Sequence, residues 1–84
     1  MWYIYIVCCA DNTLYTGITT NLERRLREHN TANVGSKYIR SKRPATLVYK
    51  ESVKTRSNAL KREAAIKRLS HQEKLLLIER ELTP

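Results

Sequence analysis

The stretch DNTLYTGITTNLERRLREHN, Asp11 to Asn30, decides the fold. Asp11-Asn12 supplies a turn, because both side chains bond back to their own backbone and both tolerate the left-handed region. Thr13 to Thr19 reads as a strand. The segment before the turn, Trp2 to Cys9, is rich in aromatic and β-branched residues, so the two form a hairpin. Thr20-Asn21-Leu22-Glu23 fits a capping box, in which Thr20 and Glu23 satisfy each other's free backbone donors. The helix that follows should end near Asn30. On a 3.6-residue period Leu22, Arg25, Leu26 and His29 share one face, while Arg24, Arg27 and Glu28 face away. A helix in a small domain normally buries only apolar side chains on its inner face. Arg25 and His29 therefore need a reason to be there.

Working outward, Thr31 to Pro44 reads as a loop with a glycine, a proline, four cations and Tyr38. Ala45 to Val53 is a third strand around the apolar TLVY. Thr55 or Ser57 can cap a second helix, from about Ser57 to Leu69. Ser70-His71-Gln72-Glu73 is a capping box for a third helix, to about Glu81. The order is β-β-α-β-α-α. That is an α+β domain: a small, mostly antiparallel three-stranded sheet flanked by helices.

Eighty-four residues make one domain, 1–84, with a modest core. No apolar run is long enough to span a bilayer. The opening MWYIYIVCCA lacks a basic leader and is too short and β-branched for a signal sequence, so a cytoplasmic protein is expected. Adjacent Cys8 and Cys9 point to opposite faces of a strand, so a disulfide between them would be strained and strand packing is their role. Sixteen Lys and Arg against eight Asp and Glu leave a net charge of +8. A field of that sign favours a polyanion: nucleic acid first, anionic membrane second. Charge speaks of partners and not of chemistry.

Chemistry requires particular residues. On the second helix Ala59, Leu60, Glu63, Ala64, Ile66 and Lys67 fall on one arc, with Lys61, Arg62, Ala65 and Arg68 opposite. Glu63 sits near the middle of the inner arc. A carboxylate there is costly unless it is paired, hydrogen-bonded or bound to a metal. An intrahelical pair with Lys67, four residues on, is the structural alternative. Tyr5 and Tyr15 each occupy the middle of a hairpin strand, and their hydroxyls could converge; two core tyrosines with solvated tips are the plainer reading. Gly17 inside a strand weakens it and suggests close approach of another backbone or a ligand. Together these residues fit phosphodiester hydrolysis. A guanidinium offers a planar fork to two phosphate oxygens as charge develops. One carboxylate, with waters and substrate oxygens, can hold Mg²⁺ at the leaving oxygen. A tyrosine or histidine can orient or activate the water.

The chain resembles the GIY-YIG endonuclease domains over almost its whole length, and the small stand-alone members most. Tyr3-Ile4-Tyr5 corresponds to the first motif, with Tyr3 in place of its glycine. Tyr15-Thr16-Gly17 corresponds to the second, with Thr16 in place of isoleucine. No asparagine follows Asn58, although many members carry one late in the domain. The resemblance implies the GIY-YIG nuclease fold and hydrolysis of DNA. It implies that Tyr5 or Tyr15 activates or orients the water, that Arg25 stabilises the scissile phosphate, and that His29 assists proton transfer or contacts phosphate. It implies that Glu63 holds one Mg²⁺ or Mn²⁺.

On this reading the loop faces substrate. Lys37, Arg40, Lys42 and Arg43 neutralise phosphates and Tyr38 stacks on an exposed base, against the plainer reading of a solvated loop. Lys61, Arg62 and Arg68 read better as a solvated helix surface. A chain this short has no room for a separate sequence-reading module, so DNA shape and backbone should be read, with branched, nicked or damaged DNA in repair or recombination the expected substrate. Two other functions fit the sequence. One is a nucleic-acid-binding module without cleavage of its own, or a subunit needing a partner. The other is a protein-interaction domain built on the apolar face of KLLLIERELTP.

Overall fold

A computed structural model describes residues 1–31 and 43–82, with side chains as far as Arg80. Strands β1 (Trp2–Cys8), β2 (Leu14–Thr19) and β3 (Thr46–Val53) alternate with helices α1 (Leu22–Asn30), α2 (Arg56–Lys67) and α3 (His71–Leu82) in the order β-β-α-β-α-α. The sheet runs β2-β1-β3 and both pairings are antiparallel. The expected fold class holds.

The hairpin turn forms for the reason its residues suggest. The Asp11 carboxylate accepts from the Thr13 amide at 3.1 Å and from the Thr13 hydroxyl at 2.6 Å. Asn12 takes a left-handed φ of 68°, which asparagine tolerates better than most residues. The register that follows sets Tyr5 opposite Gly17, Ile6 opposite Thr16 and Val7 opposite Tyr15.

Being central, β1 is covered on both faces, and its alternation sorts the core into two layers. Ile4 and Ile6 pack with Tyr49, Ala59, Ile66 and Ile78 beneath α2 and α3. Tyr5, Val7 and Cys9 pack with Ala45, Leu22, Leu26 and Leu47 beneath α1. Ile4, Ile6 and Ile66 have no exposed surface, and each contributes about 1.5–3 kcal/mol by burial. Cys9 is buried, Cys8 is half-buried, and both are free thiols.

Three expectations are corrected. The cap of α1 is Asn21, not Thr20: its side chain accepts from the Arg24 amide at 2.9 Å. The Thr19 hydroxyl accepts from the Asn21 amide at 3.1 Å, so the chain turns one residue later than a Thr20 box requires. The arc of α2 is rotated. Leu60, Ala64 and Lys67 are exposed, while Arg62 and Ala65 are half-buried beside Ala59 and Ile66. Arg62 is not simply a solvated cation, because its Nε donates to Glu51 at 2.7 Å and the Tyr49 hydroxyl donates to the same carboxylate. That network ties α2 to β3. On α3, Leu77 and Ile78 close the core, while Leu75 and Leu76 are exposed. The boxes predicted elsewhere form: Ser70 and Glu73 bond reciprocally at 2.9 and 3.1 Å, and Thr55 caps α2 through the Asn58 amide at 3.1 Å.

Thr16 lies opposite Ile6 and is 3% exposed, and its hydroxyl has no hydrogen-bond partner among the described residues. Burying such a group costs free energy that valine, of the same shape, does not incur. Thr16→Val is expected to raise stability by about 1 kcal/mol, seen as a higher urea midpoint at unchanged slope. A lower midpoint would mean the hydroxyl has a partner after all.

Candidate active site

The rings of Tyr5, Tyr15 and His29 meet on the α1 side of the sheet. Tyr5 and Val7 share a face of β1, and Tyr15 lies opposite Val7 on β2. Two residues of offset across an antiparallel pair is a diagonal, within reach of aromatic side chains. The Tyr5 and Tyr15 ring centroids are 6.5 Å apart. His29, in the last turn of α1, stands 5.9 Å from Tyr5 and 5.5 Å from Tyr15, ring to ring. Its Nε2 is 2.9 Å from the Tyr5 hydroxyl.

Gly17 makes this possible. A Cβ at that position would lie 2.5 Å from the Tyr5 oxygen and 2.7 Å from the adjoining ring carbon. The close approach expected at Gly17 is therefore neither backbone nor ligand but the Tyr5 ring, which lies across it.

Arg25, one turn before His29, also reaches Tyr5. Its guanidinium acts on the Tyr5 oxygen as a donor and pairs with Glu28 at 3.2 Å, both side chains being about a third exposed. Burial pushes the Tyr5 hydroxyl up from its ordinary pKa; Arg25 opposes this, and the charges of Tyr15 and Glu63 add to it. Glu63, on α2, acts on Tyr5 through its charge alone, as the smallest of these effects. Its side chain is 19% exposed and its carboxylate lies 3.5 Å from Lys67. That is the i,i+4 pair considered from sequence, but it is loose and leaves the carboxylate accessible. Among the described residues no three His, Cys, Asp or Glu side chains gather into a metal-binding group.

His29 is 1% exposed. Burial, then the Arg25 charge, hold its pKa down to about 4; Glu28 acts the other way, and Arg43 adds to the depression. The imidazole is thus neutral at pH 7. The Tyr5 hydroxyl and Nε2 of the imidazole are hydrogen-bonded, and the tautomer of His29 sets which of the two donates.

This has a consequence for stability. Between about pH 6.5 and 4 the unfolded chain binds a proton at His29 that the folded chain refuses, so stability is present above 6.5 and is lost as pH falls through that window. At about 1.4 kcal/mol per pH unit the loss approaches 3 kcal/mol. Urea unfolding at pH 7.0 and 4.5 should show a larger drop for the wild type than for His29→Gln. Equal drops would mean that His29 titrates normally.

Four sequence-predicted residues, Tyr5, Tyr15, Arg25 and His29, lie together on the α1 side of the sheet, with Gly17 shaping the space, while Glu63 is linked to them only through its charge. Of the expected DNA contacts, Lys37, Tyr38, Arg40 and Lys42 lie outside the described residues. Arg43 is engaged elsewhere: Nε donates to the His29 carbonyl at 2.6 Å and an Nη to the Thr31 carbonyl at 2.9 Å. Sequence reading missed this, and no periodic signal marks it, because Arg43 caps a helix 14 positions earlier.

Known proteins resemble the chain in sequence and in fold. The family model described as the GIY-YIG catalytic domain matches residues 1–75. A UPF0213 protein of Desulfotalea psychrophila is 56% identical over 78 residues, 93% of this chain and 71% of that protein. The solution NMR structure of a UPF0213 protein from Bacillus halodurans superposes with a TM-score of 0.63 at 29% identity, over 100% of this chain and 89% of that one. A solution NMR structure of a protein from E. faecalis does so with a TM-score of 0.62 at 40% identity, over 98% and 88%. The chain belongs to the GIY-YIG family, and its catalytic domain is a nuclease domain.

Proposed function

We propose that the protein is a divalent-metal-dependent endonuclease that hydrolyses DNA phosphodiester bonds at branched, nicked or damaged sites, in repair or recombination. The observation that carries this is the convergence of Tyr5, Tyr15, His29 and Arg25 on one face. The net charge of +8 supports a polyanionic substrate.

Each residue has a task. Arg25, a third exposed, presents its guanidinium fork to two oxygens of the scissile phosphate and meets the charge that develops there. Tyr5 orients the attacking water and takes up its proton as it passes its own to His29, the neutral acceptor at 2.9 Å. Tyr15, the more exposed of the two tyrosines, contacts the entering phosphate. Glu63 fits a Mg²⁺ or Mn²⁺ site: a lone, accessible carboxylate suits a cation that keeps several waters and takes its other ligands from phosphate oxygens. When bound there, the ion would stabilise the leaving oxygen.

The test is cleavage of end-labelled single strand, duplex, flap, splayed arm and four-way junction by purified protein, each with Mg²⁺, Mn²⁺ or EDTA. Metal-dependent cutting that is lost in a folded Glu63→Ala protein is expected, and the best-cut DNA identifies the structure recognised. Salt-sensitive binding with no cutting would replace this reading with a binding module, or with one half of a complex.

A further inference from the structure

Helix α1 ends at Asn30 and β3 begins at Thr46, yet the two ends are held side by side. The Asn30 amide exchanges a pair of hydrogen bonds with the Ala45 main chain: Nδ2 donates to the carbonyl at 2.9 Å, and Oδ1 accepts from the N–H at 2.7 Å. Arg43 adds a second tie through the His29 carbonyl at 2.6 Å and the Thr31 carbonyl at 2.9 Å. The last carbonyls of a helix have no intrahelical donors, and a cation there also meets the negative end of the helix dipole. Only a guanidinium spans two such carbonyls with a rigid fork; an ammonium is a single flexible point.

We propose that Arg43 is a positioning residue for His29: by bridging the carbonyls of His29 and Thr31 it fixes the last turn of α1, so that the imidazole stays seated between Tyr5 and Tyr15. The backbone it grips is that of His29 itself, whose ring has 1% exposure and contacts both tyrosines. The arrangement distinguishes Arg43 from a phosphate contact, the role its place in a basic loop suggests. Its two described bonds point inward, to the helix, and one carbonyl belongs to a residue of the cluster. Its charge also acts on the ring. Among the described residues, the groups facing the imidazole are Tyr5 on β1, Tyr15 on β2, Arg25 and Glu28 on α1, and Arg43 from the segment before β3. Arg25 and Arg43 disfavour the imidazolium and Glu28 favours it.

The effect on rate rests on the nuclease reading above; the effect on His29 does not, so the two can fail separately. The experiment compares wild type, Arg43→Lys and Arg43→Gln by steady-state cleavage and by NMR titration of the His29 ring protons. Folding is checked from the amide spectrum. If Arg43 positions His29, kcat falls about tenfold or more in both variants while KM changes less than about twofold, because geometry is lost and substrate binding is not. Lysine does not rescue, since it keeps the charge but not the fork. The His29 titration midpoint rises in Arg43→Gln, where the smallest of the charge effects on the ring is lost, and stays near the wild-type value in Arg43→Lys. In both variants the contacts between the His29 and Tyr5 rings weaken. If Arg43 instead holds DNA, lysine restores function, KM rises at constant kcat, and the salt dependence of binding falls by about one unit of slope in Arg43→Gln. That pattern overturns the proposal. Should the wild type cut none of the DNAs, the spectra decide alone: an unmoved midpoint with intact ring contacts in Arg43→Gln overturns it, and a moved midpoint with weakened contacts supports it.

Discussion

Arg25→Ala is expected to lower the cleavage rate by about 10²- to 10³-fold, the usual loss when one preorganised donor to a developing oxyanion is removed. The loss should appear in kcat more than in KM, because the fork fits the charge-rich transition state better than the ground-state phosphate. Folding should hardly change. Arg25 pairs with Glu28 at i,i+3, with both side chains near a third exposed, and such a pair contributes under about 0.5 kcal/mol. Arg25→Lys keeps the charge and loses the fork, so partial activity is expected. A second readout follows from the neighbour. Arg25 favours ionisation of the Tyr5 hydroxyl against the burial that disfavours it. Without Arg25 the alkaline limb of the pH–rate profile should therefore move upward. An undiminished rate in a folded Arg25→Ala protein would remove Arg25 from the chemistry.

Gly17→Ala is expected to damage folding and function together, although alanine suits a strand better than glycine does. The added methyl would sit 2.5 Å from the Tyr5 oxygen and 2.7 Å from its ring carbon. The ring has nowhere to go, since His29 and Tyr15 pack on it and its exposure is 2%. The cost of such overpacking is about 1–3 kcal/mol. Because the displaced atom is the hydroxyl that bonds His29, cleavage should fall by more than the lost stability explains. A double-mutant cycle isolates the cause: the penalty of Gly17→Ala should largely vanish in a Tyr5→Ala background. If the penalty persists there, the fault lies in the β1–β2 backbone and not in the ring.

Much of the candidate site is legible in one dimension because each part obeys a local rule. Asp11-Asn12 can make the turn by itself, and the turn then sets the register that puts Tyr5 and Tyr15 on one face. The 3.6-residue period alone puts Arg25 and His29 one turn apart, on the face that α1 presents to the sheet. Glu63 stands out because a carboxylate near an apolar arc is expensive. Other features escape such rules. Whether Thr20 or Asn21 begins α1 depends on where the Thr19 hydroxyl bonds, a choice between adjacent residues of nearly equal capping strength. The orientation of α2 was read about one position out, because it lacks a clean apolar stripe and Glu51 on β3 draws Arg62 inward.

The sequence by itself determined the element order and the hairpin, and it singled out Tyr5, Tyr15, Arg25 and His29, which lie together in the structure. Periodicity, turn chemistry and capping act between neighbours in the chain, so they can be read without coordinates. Only the tertiary structure decided what those residues are to one another. It bonds Tyr5 to His29, makes Gly17 the seat of the Tyr5 ring, and ties Arg43 to the end of α1. Each is a contact between groups distant in sequence. The energy of such a contact depends on burial and direction, which no local pattern encodes.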